Sequence, residues 1–215
     1  MDLDALVDRA ASLAGGGASL AGGGAARTVL GLAGPPGAGK STLAQALRDA
    51  LGDAAAYVPL DGFHLSNAQL DRLGLRSRKG SEPSFDVWGY EALLRRLVTE
   101  PFRDTYVPDF DRALDEPVAA RHLVPAGATL LVTEGNYLAC DLPGWREARS
   151  LMAEVWYVDA TADLRDARLM RRHTGFGRDV AAARAWIDGN DRPNAELVEL
   201  SREHGDLVVT SLSRN

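Results

Sequence analysis

The chain is 215 residues long, which is enough for one domain with a full hydrophobic core. Its formal net charge of −6 argues against non-specific binding to nucleic acid or to anionic membranes, which both need a basic surface. A single cysteine, Cys140, excludes an internal disulfide. The acidic start and the lack of an apolar run of about 20 residues predict a cytoplasmic protein without a membrane partner.

The first 27 residues are predicted to be distinct from the rest of the chain. Residues 1–10 have the apolar spacing of a short amphipathic helix. Residues 12–18 and 19–25 both read Ser-Leu-Ala-Gly-Gly-Gly-Ala, and this glycine-rich repeat predicts a flexible connection without chemistry of its own. Residues 28–215 are then predicted to form a single domain.

Beyond residue 27, apolar strands alternate with helices. We predict strands at Thr28–Ala33, Ala55–Leu60, Thr129–Thr133, Glu154–Val158 and Asp206–Thr210, and shorter extended segments at Thr105–Phe110 and Arg121–Val124. We predict helices at Ser41–Leu51, Leu65–Leu73, Gly89–Thr99, Ala162–Arg172, Val180–Gly189 and Asn194–Glu203. This alternation indicates an α/β fold, in which helices cover both faces of a parallel sheet.

The most specific motif follows the first predicted strand. The phosphate-loop pattern G-x-x-x-x-G-K-[ST] is matched by Gly34, Pro35, Pro36, Gly37, Ala38, Gly39, Lys40 and Ser41. Backbone N–H groups of such a loop, together with the N-terminus of the next helix, bind nucleotide phosphates. We expect Lys40 to contact the β- and γ-phosphates, Ser41 to bind Mg²⁺, and Thr42 to complete the nucleotide site.

Three acidic residues lie at the predicted carboxyl ends of strands, where sheets of this kind bind ligands. Asp61 is expected to accept the proton of an acceptor hydroxyl, with a cap of the next helix as the alternative. Glu134 follows a buried strand in the position of a Walker-B acid and is expected to hold Mg²⁺. Asp159 is expected to cap the helix Ala162–Arg172.

A set of arginines flanks the glycine-containing turn at residues 173–177. These are Arg168, Arg171, Arg172 and Arg178. Arginines on a mobile segment between helices are typical of a lid that closes over phosphates. We therefore expect Arg171 and Arg178 to assist catalysis and Arg172 to bind the nucleotide, with a solvated helix face as the alternative.

Further segments accompany these motifs in a fixed order. They are Asp61-Gly-Phe-His64, Arg78-Lys79-Gly80, Phe85-Asp86, Tyr106-Val-Pro-Asp-Phe-Asp-Arg112 and Glu134-Gly-Asn-Tyr137. With the phosphate loop, they resemble the phosphoribulokinase/uridine kinase family, which includes bacterial pantothenate kinase, and above all its branch labelled fructose transport system kinases. The resemblance extends from Thr28 to the C-terminus. Pro83 departs from the family pattern, because relatives have this proline one place earlier.

This resemblance implies a P-loop kinase fold, which is a three-layer sandwich with a five-stranded parallel core sheet and a helical lid. It implies that Asp61 is the catalytic aspartate and Glu134 the strand-end acid. It also implies a nucleotide contact from Asn194, and it allows a homodimer, since relatives often form one. The residues expected at the acceptor site are His64, Arg78, Lys79, Tyr106, Asp109, Asp111, Arg112 and Asn136.

The sequence therefore predicts an enzyme that uses ATP and Mg²⁺ to phosphorylate a hydroxyl group of a small molecule. Because carboxylates accept hydrogen bonds from hydroxyls, Asp109 and Asp111 slightly favour a nucleoside or a sugar. Glycerate and pantothenate stay open, and the carboxylate of pantothenate would need a cation such as Arg112. The alternatives are a non-catalytic or regulatory ATP-binding module and a GTPase. Asp141–Gly144 fits the D-x-x-G pattern of GTPases, but no guanine-reading N-K-x-D motif follows.

Overall fold

A computed structural model describes residues 2–16 and 26–210, so most of the glycine-rich repeat lies outside the described residues. The helices are α1 Leu3–Gly15, α2 Lys40–Leu51, α3 Asn67–Leu73, α4 Val87–Thr99, α5 Trp145–Arg149, α6 Ala162–Gly175, α7 Val180–Trp186 and α8 Arg192–Glu199. The strands are β1 Thr28–Ala33, β2 Ala55–Pro59, β3 Thr105–Asp111, β4 Glu116–Val124, β5 Leu130–Glu134, β6 Glu154–Asp159 and β7 Leu207–Thr210. Within these residues, no helix is long and apolar enough to cross a membrane.

Five strands form one parallel sheet in the order β2-β5-β1-β6-β7. The central strand β1 pairs Thr28 with Leu130 of β5, and Leu30 with Glu154 of β6. This arrangement confirms the predicted parallel five-stranded sheet. Since the carboxyl ends of parallel strands share one edge, the segments that follow β1, β2 and β5 meet there.

Side chains of the central strands alternate between two hydrophobic clusters, one on each face of the sheet. Leu131 of β5 packs with Tyr90 of α4 and Trp145 of α5. The preceding residue, Leu130, packs on the opposite face of the sheet with Leu6 of α1. All five side chains are fully buried, and each such burial contributes about 1.5–3 kcal/mol. Helices therefore cover both faces, as the alternation of strands and helices predicted.

Helix α1 packs against the same core as the rest of the described chain. Asp2 caps it by accepting a hydrogen bond of 3.0 Å from the backbone of Ala5. Leu6 and Ala10 are fully buried. Arg9 donates hydrogen bonds of 2.8 and 2.9 Å to the carboxylate of Glu154 on β6. The predicted helix start at residues 1–10 is thus present, but α1 continues to Gly15 into the repeat that was expected to be flexible, and it shares the core of the sheet.

The helices that follow β6 differ from the prediction in their boundaries. The side chain of Thr161 caps α6, whereas Asp159, the predicted cap, ends β6 and pairs with Arg202 at 3.3 Å. A π-helical turn at Ile187–Asp191 joins α7 to α8 where two separate helices were expected. Pro193 lies in the first turn of α8, a position that needs no backbone N–H donor.

Strands β3 and β4 form an antiparallel hairpin beside β2 at the edge of the sheet. A bulge shifts their register between Val107 and Asp109. Ala120 on the facing strand has a φ of 57°, which is unusual for a residue with a side chain. β4 begins at Glu116, well before the predicted start at Arg121. A bulge changes the direction of the side chains beside it. The register of this hairpin therefore affects which of its polar side chains point towards the edge of the sheet.

Candidate active site

The phosphate loop turns sharply between β1 and α2. Gly34, Gly37 and Gly39 have φ values of 142°, 79° and 104°, which a residue with a side chain rarely adopts. A side chain at Gly34 would also collide with the carbonyl oxygen of Val158. The loop borders a large cavity at the sheet edge. The residues of the loop and of the start of α2 that line this cavity are Pro36, Gly37, Gly39, Lys40, Ser41 and Thr42.

Lys40, the first residue of α2, is buried beneath this loop. Its Nζ donates to the carbonyl oxygens of Gly34 and Pro35, at 2.8 and 3.0 Å, and to Oδ1 of Asn136, at 2.7 Å. Burial lowers the pKa of Lys40 to about 8, although the carboxylate of Glu134 acts to raise it. A buried cation at a helix N-terminus is suited to binding phosphate groups.

Glu134 lines the cavity at the end of β5. Its Oε1 accepts hydrogen bonds from Ser41 Oγ at 3.1 Å and from Tyr57 Oη at 2.9 Å, whereas Oε2 accepts none from residues 2–16 or 26–210. Burial and the nearby carboxylate of Asp61 raise the pKa of Glu134. Carboxylate and hydroxyl oxygens are the ligands that Mg²⁺ prefers, so Glu134 and Ser41 fit a magnesium site.

Asp61 reaches the cavity from a short 3₁₀ turn after β2. Arg112 donates to its carboxylate at 3.2 Å. Burial acts to raise the pKa of Asp61, but the charges of His64 and Arg112 and of more distant cations outweigh it and hold that pKa below its usual value. The side chain that caps α3 is Ser66, which accepts from the backbone of Gln69, so Asp61 does not serve as that cap.

His64 lies directly beside Asp61 on the same wall of the cavity. Its Nδ1 lies 2.8 Å from the backbone carbonyl oxygen of Asp61. The imidazole ring packs against Phe85 and Phe110, with ring centroids 4.1 and 4.8 Å apart. Burial lowers the pKa of His64, although the carboxylate of Asp61 acts to raise it.

Residues 162–186, which comprise α6, α7 and the turn between them, are the predicted lid, and several of their side chains line the cavity. Arg171 and Arg172 line the cavity from α6. Arg172 donates no hydrogen bond and forms no ion pair within the described parts of the chain. Burial and the charge of Arg112 lower its pKa, while nearby carboxylates, including Asp61, act to raise it. Arg168 attaches α6 to the phosphate loop by donating to two of its carbonyl groups, at 3.2 and 3.0 Å.

A buried chain of hydrogen bonds holds Arg178 on the lid. Arg178 donates to His173 Nδ1 at 2.9 Å, and its guanidinium lies 4.0 Å from the ring centroid of Trp186. Arginine is only a donor, so Nδ1 must accept and the proton of a neutral imidazole lies on Nε2. His173 Nε2 therefore donates to Asp191, 2.7 Å away in the π-helical turn. The position of Arg178 thus depends on His173 and Asp191.

Lys79 is buried in the loop at residues 74–85, with a side chain only 8% exposed. Its Nζ forms an ion pair with the carboxylate of Asp115 at 3.0 Å and donates to Asn67 at 2.6 Å. These contacts attach the loop to the tip of the β3–β4 hairpin. Lys79 lines the cavity, but its donors are occupied by protein groups.

Two asparagines of the C-terminal helical region hold the backbone of the same loop. Asn190 donates to the carbonyl oxygen of Lys79 at 2.8 Å. The carbonyl oxygen of Gly80 accepts from Asn194 at 3.2 Å and from Tyr137 Oη at 2.8 Å. Asn194 also lines the cavity, and its contact with the nucleotide stays a prediction. The loop at residues 74–85 is therefore directly linked to the π-helical turn and to α8.

The sequence matches the model of the Phosphoribulokinase / Uridine kinase family over residues 29–215. The chain belongs to this family. The "Putative uridine kinase C227.14" of Schizosaccharomyces pombe is 34% identical over 197 residues, which cover 86% of this chain and 84% of that protein. The "Uncharacterized protein YggC" of Escherichia coli K12 is 35% identical over 189 residues, which cover 85% and 77% of the two chains.

A solved structure supports the same assignment. The crystal structure of a "putative fructose transport system kinase" from Silicibacter sp. TM1040 has a TM-score of 0.85 and 34% sequence identity to this chain. The match covers 97% of this chain and 99% of that one. The protein is therefore a P-loop kinase of the phosphoribulokinase/uridine kinase family, as the order of its motifs implied.

Some residues expected at the acceptor site of this kinase lie outside the cavity wall. Tyr106 is 66% exposed on β3. The carboxylate of Asp109 lies 2.8 Å from His122 Nε2, and that of Asp111 accepts from Arg121 at 2.7 Å. Both carboxylates are thus held by side chains of β4, the strand that pairs with their own. The predicted acceptor residues that do not line the cavity are Arg78, Tyr106, Asp109 and Asp111.

The predicted residues that do line the cavity of this kinase come from both sides of the sheet edge. They are Asp61, His64, Lys79, Arg112, Glu134, Asn136, Arg171, Arg172, Arg178 and Asn194, together with Pro36, Gly37, Gly39, Lys40, Ser41 and Thr42 of the phosphate loop; Gly34, Pro35 and Ala38 do not line it. The sequence analysis missed Tyr57 and His173, which hold Glu134 and Arg178 respectively. A tyrosine inside a buried apolar strand was the available signal for Tyr57, because its hydroxyl needs a partner there.

Proposed function

We propose that this kinase transfers the γ-phosphoryl group of ATP, bound with Mg²⁺, to a hydroxyl group of a small molecule such as a nucleoside, a sugar or a related metabolite. One observation carries the proposal: the Asp61 carboxylate and the guanidinium of Arg172, which has no hydrogen-bond partner in the described residues, line the same cavity as Lys40. A module that only binds nucleotide needs neither group. Phosphoryl transfer needs both, one for the acceptor proton and one for the charge of the transferring group.

The arrangement assigns a role to each side of the cavity. Lys40 and the N–H groups of the phosphate loop bind the β- and γ-phosphates. Asp61 accepts the hydroxyl proton as the acceptor oxygen bonds to the γ-phosphorus, while the bond from that phosphorus to the bridging oxygen of ADP breaks. Arg172 stabilises the negative charge on the transferring group. When bound at Ser41 and Glu134, Mg²⁺ supplies further neutralisation of phosphate charge.

The lid residues complete the proposal. Arg171 and Arg178 approach the phosphates when the lid closes, and Asn194 supports the nucleotide side. A closed lid excludes water, which strengthens each of these electrostatic contacts and protects the γ-phosphate from hydrolysis. The homodimer implied by the resemblance stays a prediction.

The test is ADP formation from ATP and Mg²⁺ with a panel of nucleosides, sugars, glycerate and pantothenate, in wild type and Lys40→Ala. We expect one class of acceptor to stimulate ADP formation strongly in wild type only. Slow hydrolysis that no acceptor stimulates, with ATP still bound, would support a regulatory ATP-binding module instead. Preference for GTP over ATP in the same assay would support a GTPase.

A further inference from the structure

The wall of the cavity opposite the phosphate loop is formed by the loop at residues 74–85 and the hairpin tip at residues 110–115, and we call it the acceptor wall. We infer that the acceptor carries an anionic group, a carboxylate or a phosphate, beside its hydroxyl, and that Arg112 binds this group. The inference rests on the proposed function and narrows its substrate class.

Arg112 presents donors to the cavity beside the proposed base. Within the described residues it donates a single hydrogen bond, to Asp61 at 3.2 Å, and 42% of its side chain is exposed. Its guanidinium also lies 5.9 Å from the ring centroid of Phe176 on the lid. A guanidinium has five N–H donors in a fixed fork that matches a carboxylate or phosphate. Most of this fork is therefore available to a ligand next to Asp61.

The charges of the acceptor wall also favour an anion. Its cations are Arg76, Lys79 and Arg112, and the carboxylates paired with them in the described lining are Asp61 and Asp115. Asp61 pairs with Arg112 and Asp115 with Lys79, whereas Arg76 lies 3.6 Å from Asp71 and 3.9 Å from Asp115. Both carboxylates of this wall thus already have an ion-pair partner, and the cation with donors left for a ligand is Arg112.

Three groups that could recognise a neutral sugar or nucleoside, Asp109, Asp111 and Phe110, are engaged by protein side chains. Asp109 and Asp111, which favoured a polyhydroxylated acceptor, bind His122 and Arg121 outside the cavity. A nucleobase would need an open aromatic face for stacking. The ring of Phe110 instead packs against the imidazole of His64, and Lys79 Nζ lies 4.8 Å from the centroid of the same ring.

Binding of an anion to Arg112 has a direct consequence for Asp61. The anion competes with the Asp61 carboxylate for the same guanidinium. Arg112 contacts Oδ2 of Asp61, and a shared guanidinium stabilises that carboxylate less, so Asp61 becomes a stronger acceptor for the hydroxyl proton. The acceptor's own charge thereby helps to prepare the base, and an uncharged analogue of the same shape lacks this effect.

The experiment compares pairs of acceptors in which a hydroxyl group replaces the anionic group: glycerate with glycerol, pantothenate with panthenol, and ribose 5-phosphate with ribose. ADP formation is measured for wild type, Arg112→Gln and Arg121→Gln. Arg121 is the control because it is a cation of the same hairpin that pairs with Asp111 outside the cavity. Arg112 is exposed enough for its replacement to leave the core intact.

We expect the anionic member of a pair to stimulate ADP formation at least tenfold more than its neutral partner. The carboxylate and phosphate pairs show which anion is recognised. Arg112→Gln is expected to raise the KM of that acceptor by about 10–100-fold, since a hydrogen bond to a charged group is lost. Arg121→Gln is expected to behave as wild type.

Stimulation by neutral members alone, or equal sensitivity of both members to Arg112→Gln, would overturn the inference and leave the proposed function standing. Failure of every pair, with ATP still bound by wild type and not by Lys40→Ala, would count against the proposed function itself. The two failures are therefore distinguishable in one set of measurements.

Discussion

Tyr57 donates a hydrogen bond of 2.9 Å to Oε1 of Glu134, the oxygen that also accepts from Ser41 Oγ. Two donors on one oxygen fix the orientation of the carboxylate and leave Oε2 for other partners. Groups that orient a metal ligand in this way typically contribute 10–100-fold to metal affinity. Tyr57→Phe is therefore expected to raise the Mg²⁺ concentration for half-maximal activity by about tenfold or more.

The measurement is the rate of ADP formation as a function of Mg²⁺ concentration at saturating ATP. Tyr90→Phe is the matched control, because it removes a buried hydroxyl that bonds to Thr133 at 2.7 Å and does not touch Glu134. If both variants needed the same Mg²⁺ concentration as wild type, Tyr57 would have no role at this site.

The contact between His173 and Arg178 leads to a second prediction. His173→Phe keeps an aromatic ring but removes the acceptor for Arg178 and the donor to Asp191. We expect kcat to fall by about tenfold or more, because the lid arginine loses its position, while the KM of the acceptor changes little. His204→Phe is the control, since His204 contacts only the backbone of Ala139 in the described residues. Equal kcat in wild type and His173→Phe would show that His173 does not position Arg178 for catalysis.

Cys140 is the one cysteine of the chain and is buried beneath the sheet edge. Burial raises the pKa of its thiol to about 11. At pH 8 the reactive thiolate is then only about 0.1% of the total, against roughly a quarter for an ordinary cysteine. We expect the folded protein to resist labelling by a thiol reagent at pH 8 and the urea-unfolded protein to be labelled at once. Rapid labelling of the folded protein would show that Cys140 is accessible.

Helix α1 precedes the family-matched region, and its packing leads to a stability prediction. Leu6 is fully buried between α1 and the sheet. Leu6→Ala is expected to lower the free energy of unfolding by about 2–5 kcal/mol, through lost burial and the cavity left behind. The measurement is urea unfolding, with Leu200→Ala as the control because Leu200 is 76% exposed. A change of less than about 0.5 kcal/mol for Leu6→Ala would mean that α1 does not contribute to the core.

The sequence predicted the parts of this kinase that depend on local pattern. The phosphate loop, the five strands and the acids Asp61 and Glu134 were readable because each follows from a short motif or from the alternation of strands and helices. The direction of Asp109 and Asp111 was not readable, since it depends on a bulge that forms only when β3 pairs with β4. A carboxylate pair that looked suited to a sugar therefore lies outside the cavity.

The positioning residues were missed for a similar reason. Tyr57 and Glu134 are 77 residues apart in sequence, and His173 and Asp191 are 18 apart. Contacts over such separations arise from tertiary packing and leave no spacing pattern. The cap of α6 was misassigned because threonine and aspartate are both preferred helix N-caps. Thr161 is the cap because α6 begins at Ala162, and the sequence does not give this starting residue.

The central claim is that Asp61 accepts the proton of an acceptor hydroxyl during phosphoryl transfer from ATP. Its most direct test is the acceptor-stimulated rate of ADP formation in Asp61→Asn beside wild type, with ATP affinity measured on both proteins. The account predicts a fall in that rate of about 10²–10⁴-fold with ATP affinity retained. An Asp61→Asn protein that kept the wild-type rate with its true acceptor would contradict the account.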